Sequence, residues 1–136
     1  MTVFISFFAI FVPTLIFPQS HKILRNKSNY IAILVMCIVL LILSINALTI
    51  TSTELEKQNA LSPICPIVFL LLYKVFDKVC LKKYGRNMYF HIKHNYFWED
   101  GESEEATWLE FLLQFSLLII PFMFWWKIGP IITKLL

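Results

Sequence analysis

Charge is missing where its absence decides most. From Tyr30 to Ile50 the chain reads YIAILVMCIVLLILSINALTI, with no Asp, Glu, Lys or Arg and with Ser44 and Asn46 as its strongly polar side chains. As a helix, at about 1.5 Å per residue, this stretch is about 31 Å long, the thickness of a bilayer's hydrocarbon core. Soluble core helices seldom run so far without a charge. Over the whole chain, charged residues make up 15% and hydrophobic ones 58%, against about 25% and about 45–50% in soluble domains. Both departures point to lipid. A few helices and their connections use up all 136 residues, so no separate soluble domain is expected.

Other absences narrow the reading. The three glycines, Gly85, Gly101 and Gly129, lie outside the expected spans, so no GxxxG packing motif is available. Cys37, Cys65 and Cys80 are odd in number and scattered, with no CxxC. They read as small apolar core residues rather than a disulfide or a metal site. No positive charge precedes the first apolar run, residues 3–17, and FPQSHK follows it. That is unlike a secretory signal, and an uncleaved first helix is expected. The run also lacks the acidic residue that small multidrug transporters carry in their first helix. No repeat or low-complexity tract is present.

What remains predicts an all-α, polytopic integral membrane protein, a four-transmembrane-helix bundle forming a single membrane domain. The spans are expected at about 3–17, 30–50, 63–83 and 108–126, with a tail over 127–136. Pro13 and Pro121 are expected to kink the first and last. Ser28 is the expected cap of the second span. Thr51 and Glu54 have capping-box spacing for a short surface helix, and so do Thr107 and Glu110 for the fourth span. Ser62-Pro63 signals the start of the third span and Gly85 its left-handed end. Residues 84–107 form the one long polar connection, aromatic and basic first and acidic around Gly101. Its secondary structure over 86–98 is left open by the pattern.

Sidedness follows from the basic residues. Lys22, Arg25, Lys27, Lys74, Lys78, Lys82, Lys83, Arg86 and Lys93 fall on one side, nine in all, and Lys57, Lys127 and Lys134 on the other. The positive-inside rule makes the first side cytoplasmic, with both termini outside and residues 18–29 and 84–107 inside the cell. The expected location is the inner or plasma membrane. Trp98 and Trp108 would then mark the inner interface, and Trp125 and Trp126 the outer one.

Polar side chains within or beside the spans are the candidate structural site. Lys74, Asp77 and Lys78 share a face of the third span; Glu110 and Gln114 share one on the fourth. Pairing of Lys78 with Glu110 and of Lys74 with Gln114 is expected, and the alternative for the lysines is snorkelling to the headgroups. Asn46 is expected to hydrogen-bond another helix. A partner-facing segment would use Arg86, His91, His94, Trp98, Glu99 and Asp100. His91-x-x-His94 lacks the glutamate of a zincin motif, and the acidic run lacks EF-hand spacing. No catalytic residue, metal or cofactor is therefore expected. The expected partners are the lipid bilayer and either further copies of the chain or another protein subunit, with no nucleic acid. Three functions compete: a non-enzymatic accessory or scaffold subunit, an oligomeric channel or membrane-permeabilising effector of the toxin or antiviral kind, and a membrane enzyme using His91 and His94.

Overall fold

A computed structural model describes residues 20–48, 53–88 and 107–135, together with Ser6, Phe7 and Ala9. Among the described residues every regular element is an α-helix: α1 (Ser20–Arg25), α2 (Lys27–Leu48), α3 (Glu54–Ala60), α4 (Ile64–Tyr84) and α5 (Trp108–Leu135). The first expected span, 3–17, lies outside the described residues apart from Ser6, Phe7 and Ala9. Ser6 and Ala9 are buried, and the Ser6 hydroxyl donates to the Asn59 carbonyl at 2.9 Å.

Local chemistry sets each boundary. The Asn26 side chain accepts from the Ser28 N–H at 3.0 Å, and its carbonyl accepts from Tyr30 N–H at 2.9 Å. Asn26 is therefore the cap of α2, two residues before the expected Ser28, because Ser28 already lies in the first turn. In α3 the Thr53 hydroxyl donates to Glu56 Oε2 at 2.9 Å. The short helix is where it was expected, with its Thr/Glu pair displaced by two residues. At the end of α4, Gly85 adopts φ 69° and its N–H donates to the Leu81 carbonyl. That left-handed conformation costs a residue with a Cβ.

α4 packs antiparallel to both α2 and α5. Tyr30 of α2 touches Leu70 and Lys74 of α4, whereas Leu48, Ala60, Leu61 and Cys65 share a cluster at the other end. Between α4 and α5, Cys65 meets Pro121 and Arg86 meets Glu110. The start of α2 and the α4–α5 connection thus lie at one end of the molecule. A single stripe of α5 is buried: Glu110, Gln114, Leu117, Pro121, Trp125, Gly129 and Thr133. Spacings of three and four place these on one helix face. The seam of α2 is narrower still, with Tyr30, Cys37, Ser44 and Leu48 buried and most of the remaining circumference apolar and exposed.

The helices over Lys27–Asn46 and Trp108–Lys134 are long and apolar enough to cross a membrane. Of their most apolar eighteen residues, 17% and 22% are buried inside the protein, whereas a soluble core helix would be mostly buried. α4 has 21 residues but carries Lys74, Asp77, Lys78, Lys82 and Lys83 and is not one of the two. The last helix also differs from its expected extent. Lys127 and Gly129-Pro130 do not end it, and the expected tail is its continuation to Leu135. A proline removes one helical donor without preventing the chain from continuing. The added turns also have packing to gain: Ile132 lies against the cluster of Leu48, Ala60, Leu61, Cys65 and Trp125. The Thr133 hydroxyl donates to the Pro130 carbonyl at 3.0 Å.

Candidate interaction site at the α4–α5 connection

After the Gly85 turn the chain folds back along α4. Asp77, three and a half turns into that helix, receives it: Asp77 Oδ2 accepts from Asn87 Nδ2 at 2.8 Å, and Asp77 Oδ1 from Met88 N–H at 2.9 Å. These bonds press the Met88 side chain inward until it is fully buried, in one cluster with Tyr73, Cys80 and Leu117. Between Gly85 and Asn87, Arg86 points across to α5. Its Nη1 and Nη2 donate to Glu110 Oε1 and Oε2 at 2.8 and 3.2 Å. A bidentate guanidinium–carboxylate pair is among the strongest protein hydrogen-bonding geometries. Glu110 is 0% exposed and the Arg86 side chain 25%, so the carboxylate is shielded while the cation keeps some contact with the exterior. The guanidinium also lies 5.7 Å from the Tyr84 ring centroid.

Glu110 performs a second task. Its Oε2 accepts from the Thr107 N–H at 2.8 Å and from the Thr107 hydroxyl at 3.0 Å, while its own N–H donates to Thr107 Oγ1 at 3.4 Å. This is a reciprocal capping box at the start of α5, as the spacing predicts. One carboxylate therefore grips Arg86, where the chain leaves the helical pair, and Thr107, where it returns. The segment 89–106 is closed at its neck by Glu110 and Asp77.

The sequence-derived candidates sort as follows. Asp77 and Glu110 come together with Arg86 at the neck. Lys78 is exposed, and the partner that holds Glu110 is Arg86. Lys74 is exposed too, with its Nζ 5.0 Å from the Tyr30 ring centroid, so it packs on α2. Gln114 is buried one turn along from Glu110 on the α5 stripe, and Asn46 is exposed near the end of α2. His91, His94, Trp98, Glu99 and Asp100 lie outside the described residues. Among the described residues no group of three His, Cys, Asp or Glu side chains could hold a metal ion. Asn87, Thr107 and Tyr30 were not among the sequence candidates. Thr107 had its capping-box signal, whereas nothing in the spacing marks Asn87 or Tyr30 as tertiary partners.

The opposite end is held differently. Trp125 Nε1 donates to the Gln58 carbonyl at 3.0 Å, and Cys65 Sγ to the Pro121 carbonyl at 3.4 Å. A Cβ added at Gly129 would come within 3.3 Å of Gln58 Cγ. Glycine there permits the close approach of α5 to α3. No protein family, no curated protein and no solved structure matches the chain.

Proposed function

We propose that the chain is a non-enzymatic integral membrane subunit that assembles with another protein, or with further copies of itself, and presents segment 89–106 as its contact surface. One observation carries this reading: a single buried carboxylate holds both the departure and the return of that segment through Arg86 and Thr107. Such a neck fixes where the segment emerges whatever the segment binds. The membrane part of the reading rests on α2 and α5. Both expose large apolar side chains over most of their circumference, such as Val39, Ile42 and Leu43 on α2 and Phe115, Met123 and Trp126 on α5. Water would penalise so large an apolar surface, and lipid or a partner helix would not. The nine-to-three division of basic residues argues for a neck on the cytoplasmic side.

Purification of the intact protein from mild detergent, followed by native mass measurement, tests the assembly. The expected result is a defined complex that disappears when residues 89–106 are replaced by a glycine-serine linker, while thermal stability is kept. A complex indifferent to that replacement would sink the proposal, and a symmetric ring that conducts ions would favour the channel reading. Orientation is checked by single-cysteine labelling at positions 57 and 93 in a background without native cysteines. Outside reagents should reach 57 and not 93.

A further inference from the structure

Tyr30 is the first residue of the charge-free stretch of α2, so its depth marks where that helix passes from polar to apolar surroundings. Its hydroxyl donates to the Leu70 carbonyl at 3.2 Å, and the Lys74 ammonium lies 5.0 Å from its ring centroid. Lys74 is therefore level with the edge of the apolar span and not within it. Ten residues of α4 follow it, to Tyr84, and at about 1.5 Å each they carry the helix about 15 Å beyond that edge. The lysines of α4 belong to the headgroup layer.

Antiparallel packing then gathers cations from two helices. A step from Tyr30 back to Lys27 and a step from Lys74 on to Lys78 each cover about one turn in the same direction, out of the apolar layer. Lys27, Lys74 and Lys78 are all exposed. Asp77, the carboxylate of α4 nearest in sequence to these lysines, is engaged by Asn87 and Met88. On the apolar side of the line, Ile31 of α2 and Leu71 of α4 are exposed. An aromatic ring thus stands at a boundary with cations on one side and bare hydrocarbon on the other.

We propose that the surface formed by Lys27, Tyr30, Lys74 and Lys78 binds an anionic phospholipid, its phosphate against the lysines and its acyl chains along Ile31 and Leu71. A free anion would use only the cationic half of this surface; a phospholipid uses both. The inference rests on the membrane reading above, and the two fail separately. Alkaline extraction of native membranes tests insertion: a protein that washes off overturns the membrane reading and this inference with it. A protein that stays embedded but shows no lipid preference overturns this inference alone.

The test reconstitutes the protein in phosphatidylcholine with or without phosphatidylglycerol and counts retained lipids by native mass spectrometry. The wild-type chain should retain phosphatidylglycerol over phosphatidylcholine. The double variant Lys74→Gln with Lys78→Gln should weaken that preference roughly tenfold to thirtyfold, from the usual contribution of two lysines at an anionic surface. Lys74→Arg should keep the preference, and so should Lys57→Gln with Lys134→Gln at the other end. Absence of a preference in the wild-type chain overturns the proposal even if the double variant fails to fold. An equal loss in the Lys57 and Lys134 variant overturns it as well. If inorganic phosphate alone raises the detergent melting temperature as much as phosphatidylglycerol does, the site is one for free anions and the lipid assignment falls.

Discussion

At one end of the α4–α5 pair a guanidinium and a carboxylate meet in two hydrogen bonds, and the same carboxylate caps a helix. At the other end a glycine brings α5 against the Gln58 side chain, and an indole donates to a backbone carbonyl. The first end uses polar groups to hold the residues on either side of segment 89–106. The second has only a short turn to close, since α3 passes into α4 through Leu61, Ser62 and Pro63 with backbone bonds such as Cys65 N–H to Ser62 carbonyl. The difference follows from what must be held. Two chain ends separated by a long excursion need a directional, multivalent partner, whereas helices joined by three residues need only a good fit.

The comparison is broken most severely at Glu110. Glu110→Ala removes both Arg86 bonds and the carboxylate's two bonds to Thr107, leaving only the backbone half of the cap, and leaves a partly covered guanidinium without its carboxylate. Breaking a buried pair costs about 3–5 kcal/mol, and partial exposure of Arg86 lowers the expected loss to about 2–4 kcal/mol. Thermal denaturation in detergent measures it, and Glu104→Ala serves as the control. A Lys78 and Glu110 double-mutant cycle should be additive within error, while an Arg86 and Glu110 cycle should show coupling.

A smaller loss is expected at the tight end, and it depends on size. Gly129→Ala gains about 1 kcal/mol of helix propensity and meets the movable Cγ of Gln58, so its melting temperature should stay near that of the wild type. Gly129→Leu overfills the same contact and should lose about 1–3 kcal/mol. Equal effects for the two would mean that the close approach carries no weight. Smallest is Trp125→Phe, which keeps an aromatic six-membered ring but loses the pyrrole ring that carries the Nε1 bond to the Gln58 carbonyl. A loss of about 1 kcal/mol is expected in the same assay.

Much of this was legible in the sequence, because it depends on neighbours along the chain. The Thr107/Glu110 box, the Gly85 turn, the short helix after residue 53 and the apolar stretch of α2 all announce themselves within four residues or by an unbroken run. Glu110's partner was not legible. Depth counted along two straight helices brings Lys78 level with Glu110, but Arg86 lies past the end of α4 and is carried back by a turn whose direction Asp77 sets. The contact of Lys74 was not legible for a related reason. It was expected opposite Gln114 on the last helix, whereas its ammonium lies over the Tyr30 ring of α2, on the other neighbour of α4. The continuation of α5 through Pro130 was hidden too, since Gly129-Pro130 reads locally as a stop and only packing on the far cluster opposes it.

The closed neck also bears on how the protein tolerates change in length. When one carboxylate ties both ends of an excursion, the cost of bringing those ends together grows only as the logarithm of the residues between them, about 0.6 kcal/mol for each doubling. The helical pair therefore feels insertions and deletions in 89–106 weakly, so long as Arg86, Thr107 and Glu110 stay as they are. The composition of the segment can therefore change widely at little cost to the helices that carry it.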